Sequence, residues 1–443
     1  MTRSWRSSSS SAADRLNFRE AVAELEGRRE SRMVPDLSRI LSLATLLSDP
    51  QLTYPSIHVT GTNGKGTTAR VAAELACAHG LTTGLYTSPH LVSVRERLSI
   101  CGVDITEQEF AEEYEHLLPF LLLVDAQGED QVTYFEALTA LAYLWFADKP
   151  VALGVFEVGM GGTWDATNLV RGEIAVLTPI ALDHPELGST IAQVAGEKTG
   201  IIKEGNIAVS REQDDEALRV IEARCADVGA ELRLEHRDFE IEERLRAMGG
   251  QSLRIRGIRG TYEDLFLPMF GEHAARNAAA AIAAVESLLD KPLDEDITRQ
   301  ALADVRWPGR LEIVARHPTI LLDGAHNPAG AEALAAALRE FFIWERLHLV
   351  ISISANKDAA GIVRPLAPLT DIVYAAKNAS ERAGDALVIA EEFGALNKPV
   401  EVFDSIASAL DAARASAEET DLIVVTGSLY TVADAHRALG EPF

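Results

Sequence analysis

Ser56-Ile-His-Val-Thr-Gly-Thr-Asn-Gly-Lys-Gly-Thr-Thr68 is the stretch on which the reading of this chain turns. A short β-type run, Ile57 to Thr60, enters a loop that holds Gly61, Gly64, Lys65 and Gly66. An apolar-periodic helix follows, with Val71, Leu75 and Ala78 on one face. Strand, glycine loop and helix N-terminus together make an anion site. Glycines let backbone N–H groups converge, the helix dipole favours negative charge, and Lys65 adds a mobile cation. Thr67 or Thr68 can offer a hydroxyl to Mg²⁺. The loop departs from the standard Gly-x-x-x-x-Gly-Lys-[Ser/Thr] pattern, because Val59 stands at the first glycine position and Gly66 at the hydroxyl position. A glycine-rich turn with a surface lysine is the competing description, and the strand-to-helix context argues against it.

The rest of the chain sets bounds. Its 443 residues are too many for one core, so two or three domains are expected. A hydrophobic share of 47% with 24% charged residues is that of a globular protein. A formal net charge of −26 argues against a nucleic-acid partner or an anionic membrane surface. Any phosphate site must therefore gather its own cations and amides. No run of about 18 apolar residues is present, so no membrane span is expected. Three scattered cysteines, Cys77, Cys101 and Cys225, point to reduced thiols in an intracellular, cytoplasmic setting, with Cys77 as a small core residue. Residues 1–14, rich in serine, read as a disordered tail.

Along the chain, residues 15–47 are helical in pattern. Thr106 with Glu109 and Thr133 with Glu136 form capping boxes that open two helices. Leu81–Thr87, Val151–Val158 and Ile174–Thr178 read as strands, and Asp214–Gly229 as an amphipathic helix. This is the βαβ rhythm of an open α/β sheet. Residues 232–269 break it with short strands, and an alanine-rich helix, Glu272–Leu289, follows. Trp307-Pro308-Gly309 is the candidate linker. Beyond it a second βα series has strands near 320–322, 347–351, 372–375, 400–402 and 422–425. The expected fold is α/β: an ATP-binding domain over residues 15–306 with an open, mostly parallel sheet, and a smaller Rossmann-like α/β domain over 309–443.

Ligands of open α/β sheets collect at the carboxyl ends of strands, where several polar residues fall. They include Ser88, Pro89 and His90 after the second strand, Glu157 after a buried one, Asp183-His184, and Lys198 on a short helix begun near Thr190. Hydroxyl, carboxylate and neutral imidazole suit Mg²⁺ beside phosphates. Singly, Glu157 is equally a strand-end charge, His184 a partial-core histidine, Ser88 a turn residue and Lys198 a solvated helix residue. Their joint placement supports a Mg-nucleotide enzyme. Asp323-Gly-Ala-His-Asn-Pro328 ends another strand, and Arg310 lies just past the linker, placed either for an inter-domain salt bridge or to reach a γ-phosphate on closure.

In this order the segments resemble the folylpolyglutamate synthase/dihydrofolate synthase family of Mur-type amide ligases. The likeness runs from about Met33 to Val432 through His58–Thr67, Leu85–Leu91, Glu157–Asn168, Leu182–His184, Glu197–Ile201, Trp307–Glu312, Asp323–Pro328 and Thr426–Tyr430. The phosphate loop is common to Mur ligases. Thr87-Ser-Pro-His-Leu91, Asp165-Ala-Thr-Asn168 and Asp323-Gly-Ala-His-Asn-Pro328 together are specific to the folate branch.

The resemblance implies that Gly61, Thr62, Asn63, Gly64, Lys65, Gly66, Thr67 and Thr68 hold the ATP phosphates. It implies two Mg²⁺ sites, one served by Thr67, Ser88 and Glu157, the other by His184 and a carbamylated Lys198, and it admits a monovalent cation. Asn277, Asp323 and His326 would contact the nucleotide, and Arg310 would stabilise the transferring phosphoryl group. Ser88 to Arg97 (with Pro89 and His90) and Asp165 would border the pterin. Glu197-Lys-Thr-Gly200 stands where the family commonly has Glu-Lys-Ala-Gly. Ala181 replaces a frequent glycine or serine, and Pro185-Glu-Leu-Gly188 looks one residue short, which would shift His184.

The implied reaction phosphorylates a carboxylate and joins glutamate to it, with dihydropteroate, folates and L-glutamate as substrates, no nucleic-acid or membrane partner, and a monomeric protein. Two other readings stay open. A cell-wall amino-acid ligase would need a UDP-sugar domain ahead of the loop, where only about 50 residues stand. A catalytically silent homologue would bind ATP without turnover.

Overall fold

The computed structural model describes residues 16–28, 35–128 and 130–440. The expectation of a disordered tail over 1–14 lies outside them.

Eight strands form the first sheet: β1 (Ser56–Thr60), β2 (Thr83–Tyr86), β3 (Leu98–Ile100), β4 (Val103–Asp104), β5 (Leu153–Glu157), β6 (Ile174–Leu177), β7 (Ile207–Ser210) and β8 (Glu231–Leu234). Their order is β4-β3-β2-β5-β1-β6-β7-β8. From β2 to β8 neighbours run parallel, and β3 and β4 add an antiparallel edge. All five residues of β1 are buried, as are those of β5, and the latter matches the near-continuous apolar run around it. β1 lies centrally, with Val59 level with both Glu157 and Val176. The loops after β1, β5 and β6 therefore open side by side.

Both faces are covered. On one, the helix Lys65–Ala78 packs with Glu272–Leu289, whose Ala274, Ala275, Ala278, Ala279, Ala281 and Ala283 are buried. Small side chains let two helices approach closely, and this brings Asn277 to the phosphate loop. Val71 and Leu75 are buried as expected, whereas Ala78, at the helix end, is exposed. On the other face lie helices Glu107–Asp125 and Tyr134–Asp148, both opened by the expected capping boxes. The break in rhythm is narrower than the sequence suggests, since β8 extends the parallel sheet. Only β9 (Glu240–Ala247), β10 (Gly250–Arg256) and β11 (Thr261–Leu267) form a separate antiparallel sheet.

The second unit is a six-stranded sheet of order β12-β13-β17-β14-β15-β16. It contains β12 (Glu312–Arg316), β13 (Thr319–Leu322), β14 (Leu347–Ile351), β15 (Ile372–Ala376), β16 (Val400–Phe403) and β17 (Leu422–Thr426). It is parallel except for β12, and apolar clusters cover both faces. The Trp307-Pro308-Gly309 segment between the units is packed. Arg70 lies over the Trp307 ring at 5.8 Å, and a Cβ at Gly66 would meet Trp307 at 3.1 Å.

One expectation is corrected. Cys77 and Cys101 form a disulfide, with Cα atoms 5.6 Å apart, so neither is a reduced thiol and Cys77 is only half-buried. The antiparallel turn from β2 to β3 folds Cys101 back so that its N–H donates to Thr83 O, beside the end of the helix that carries Cys77. A separation of 24 residues gave no spacing signal. Cys225 is free and buried, so the expected reduced thiol holds there.

Candidate active site

The phosphate loop is built by backbone demands that only glycine meets. Gly64 caps the helix at φ +88°, and a Cβ there would lie 2.7 Å from Asn277 Nδ2. At Gly61, with φ +140°, a Cβ would collide with Thr178 Oγ1. Thr62 fixes the loop to the strand-end segment after β6: its Oγ1 donates to Ala181 O and accepts from Ala181 N–H, both at 2.9 Å. Only the backbone of Ala181 is used, so alanine serves there as well as glycine or serine. Thr68 donates to Gly64 O at 2.9 Å. Thr67 makes no side-chain hydrogen bond among the described residues, and its hydroxyl could serve a metal.

Lys65 Nζ donates to Gly61 O (3.2 Å) and Thr62 O (3.1 Å). Burial lowers its pKa, and the carboxylates of Glu157 and Asp183 oppose this. Glu157 is buried at the end of β5, and its Oε2 accepts the Ser88 N–H at 3.0 Å. Desolvation raises its pKa, against the pull of Lys65. Glu157, Thr67 and Ser88 offer oxygen donors of the kind Mg²⁺ takes, and a buried carboxylate with an uncommitted oxygen fits that ion.

Lys198 is not a solvated helix residue. The helix Ile191–Lys198, capped by Thr190, ends by turning its last side chain inward, and Nζ donates to Gly61 O at 2.8 Å. Desolvation lowers its pKa to about 7, and nearby Lys65 adds to the shift. An ammonium cannot ligate a metal, so Lys198 fits a cation only once its amine is neutral and modified. The family difference at Thr199 is accommodated, since its Oγ1 donates to Gly196 O at 2.9 Å.

The second unit reaches over the loop. Asn63 and Asn327 exchange two side-chain hydrogen bonds of 3.0 Å each. Asp323 is buried and accepts N–H groups from Leu311 (3.0 Å) and Ala325 (2.9 Å). Burial raises its pKa while Arg310 pulls it down. The Arg310 guanidinium lies over Gly324, where a Cβ would displace it. His326 Nδ1 pairs with Gly324 O at 2.9 Å, and desolvation pushes its pKa down to about 4. Asn277 Oδ1 accepts from Arg211 Nη1 at 2.6 Å.

His184 remains at the loop despite the short Pro185–Leu187 turn. Its Nε2 lies 3.4 Å from Asp183 Oδ2, and desolvation lowers its pKa against that carboxylate. Asp183, a strand-end candidate in the sequence, is joined at 2.5 Å to Lys357, a site residue that the sequence reading passed over.

The flank expected to border a pterin is less uniform. Arg97 Nε donates to His90 Nδ1 at 2.9 Å, and its guanidinium lies 5.5 Å from the Tyr134 ring centroid. Asp165 is buried and committed to its own turn. It accepts from Met160 N–H (2.9 Å), Thr167 N–H (3.0 Å) and the Thr167 hydroxyl, which in turn meets His58 Nε2 at 2.8 Å. Its evident work is to shape the Gly159–Asn168 loop. The expected groups thus converge from both units, Asp165 indirectly.

Comparison with known proteins finds the same fold and family of domains. Residues 59–285 match the family described as Mur ligase middle domain, and residues 309–429 the Mur ligase, glutamate ligase domain. The dihydrofolate synthase/folylpolyglutamate synthase of Mycobacterium tuberculosis is 40% identical, over 93% of this chain and 91% of its own. A structure of M. tuberculosis folylpolyglutamate synthase complexed with ADP superposes with a TM-score of 0.92 at 39% identity, covering 96% of this chain and 98% of that one. A structure of E. coli FolC in complex with DHPP and ADP gives 0.85 at 30% identity, covering 96% and 98%.

Proposed function

The chain belongs to the dihydrofolate synthase/folylpolyglutamate synthase family of Mur-type ligases, and on that premise we propose that it is an ATP-dependent, ADP-forming ligase that joins L-glutamate to dihydropteroate and to folates bearing glutamate. The observation that carries this reading is the convergence of Lys65, Glu157 and Lys198 from one unit with Arg310, Asp323 and His326 from the other around a single phosphate loop. The ADP bound by the M. tuberculosis relative and the ADP and DHPP bound by the E. coli one support the same substrates here.

The loop amides and Lys65 hold the ATP phosphates, and Arg310 meets charge on the group in transfer. An oxygen of the acceptor carboxylate attacks the γ-phosphorus. The bond to the β-phosphate oxygen breaks, and ADP and an acyl phosphate result. The neutral α-amine of glutamate then attacks the acyl carbon. The tetrahedral intermediate collapses, phosphate leaves with the bonding pair, and the amine proton passes to solvent. Holding both reactants between two units supplies much of the rate, and closure keeps water from the acyl phosphate. Mg²⁺ held by Thr67, Ser88 and Glu157, and a second ion held by His184 and carbamylated Lys198, would neutralise phosphate charge.

We further infer units of 15–306 and 309–443, a nucleotide contacted by Asn277, Asp323 and His326, and a pterin bordered by Ser88, Pro89, His90 and Arg97. The protein acts as a monomer. No described helix is long and apolar enough to cross a membrane. Incubation with ATP, glutamate and either acceptor tests the reading by ADP release and by the mass of the product. A cell-wall ligase would turn over only UDP-muramoyl acceptors, and a silent homologue none.

A further inference from the structure

Lys357 enters the site from the second unit on a fixed support. After β14 the chain makes a turn in which Lys357 N–H donates to Ser354 O at 3.1 Å. Asp358 then caps the helix Ala359–Leu366, its Oδ1 accepting the Gly361 N–H at 2.9 Å. Lys357 therefore sits one residue before a helix cap, and its stem crosses to the other unit. There Nζ lies 2.5 Å from Asp183 Oδ1, and the two side chains are only 11% and 7% exposed. The second oxygen of Asp183 faces two imidazoles, His184 Nε2 at 3.4 Å and His326 Nε2 at 4.0 Å. Lys357 and His326 from the second unit and His184 from the first thus meet around one carboxylate.

We propose that Lys357 is a positioning residue that latches the two units through Asp183 and so fixes the adjoining His184 at the mouth of the phosphate loop. A carboxylate with one oxygen committed to an ammonium is held against rotation, and its other oxygen then faces the His184 imidazole in a fixed orientation. A nearly buried carboxylate also needs a full cation beside it, and Lys357 is the lysine that supplies it. When the units part, Asp183 regains water and His184 loses its fixed neighbour. Closure and assembly of this part of the site are one event.

The kinetic arm of the test rests on the ligase reading; the exchange arm does not. Lys357→Met keeps the stem and removes the charge, and Lys357→Arg restores a cation. In the full chain, K357M lowers kcat for ADP formation roughly ten- to a hundredfold, and K357R recovers most of it. Amide hydrogen exchange over residues 183–188 and 325–327 rises several-fold in K357M and returns towards wild type in K357R. Wild-type exchange in K357M, or a K357R protein as altered as K357M, overturns the latch. Should K357M fail to fold, K357Q is read by the same criteria. If no protein, wild type included, forms ADP, the ligase reading fails and exchange alone decides the latch.

Discussion

Asn63 of the phosphate loop and Asn327 of the second unit exchange their side-chain amides, each donating to the other at 3.0 Å. Asn327 is also the cap of the helix Pro328–Phe341, accepting the Gly330 N–H at 2.8 Å. One residue thus starts a helix in one unit and holds the loop of the other. Asn63→Ala removes only the bridge, worth about 1 kcal/mol. Asn327→Ala removes bridge and cap, worth about 2 kcal/mol together. Chemical denaturation of both single mutants and the double mutant checks this, because the double mutant should cost no more than Asn327→Ala alone. Strict additivity would mean that the bridge is absent in solution.

Lys65 is the one lysine on the loop itself, and its ammonium lies against loop carbonyls and near Glu157. Lys65→Ala should lower ADP formation by about two to three orders of magnitude. Circular dichroism should still show the wild-type fold. Near-normal turnover would remove Lys65 from the phosphate site.

Gly64→Ala places a Cβ 2.7 Å from Asn277 Nδ2 at a φ of +88°. Strain and collision together should cost about 1–3 kcal/mol of stability and weaken ADP binding. Calorimetric titration with ADP and a denaturant melt read the two effects separately.

The pKa of Lys198 is depressed from 10.5 to about 7 by desolvation. Between these values the unfolded chain binds more protons than the folded one, so stability rises with pH across that window. Below the lower value the buried charge carries its full penalty. Carbon-dioxide-free protein should gain up to about 1.4 kcal/mol per pH unit there relative to a Lys198→Met variant. Urea melts at several pH values, on wild type and variant, measure the difference. Parallel curves would mean that the amine titrates as an ordinary lysine.

The Cys77–Cys101 bridge spans a sequence separation of 24, for which chain entropy gives about 3.5 kcal/mol. Cys77→Ser, or reductant on the wild type, should lower Tm by several degrees, and the double Cys→Ser variant should be insensitive to reductant. Equal Tm values with and without reductant would contradict the bridge.

Much of this was legible in the sequence because its causes are local. Glycine spacing, a following amphipathic helix and the Thr106–Glu109 and Thr133–Glu136 boxes all act within a few residues. What escaped was long-range or weakly patterned. Asp183 and Lys357 are 174 residues apart, and Asn63 and Asn327 are 264 apart. No periodicity reports such meetings. β12 has four half-buried residues in a row and no alternation to mark it as a strand. Lys198 reads as a surface residue by type, and only the inward end of its helix buries it. Asp165 lies in the right motif, yet its carboxylate is spent on its own turn.

The central claim is that the carboxylate is activated by phosphorylation before the amine arrives. Positional isotope transfer tests it most directly: dihydropteroate labelled with ¹⁸O in its carboxylate is incubated with ATP and glutamate, and the inorganic phosphate is analysed by mass. The account predicts one ¹⁸O atom in each phosphate released, in step with ADP and amide product. Unlabelled phosphate accompanying amide formation would contradict it.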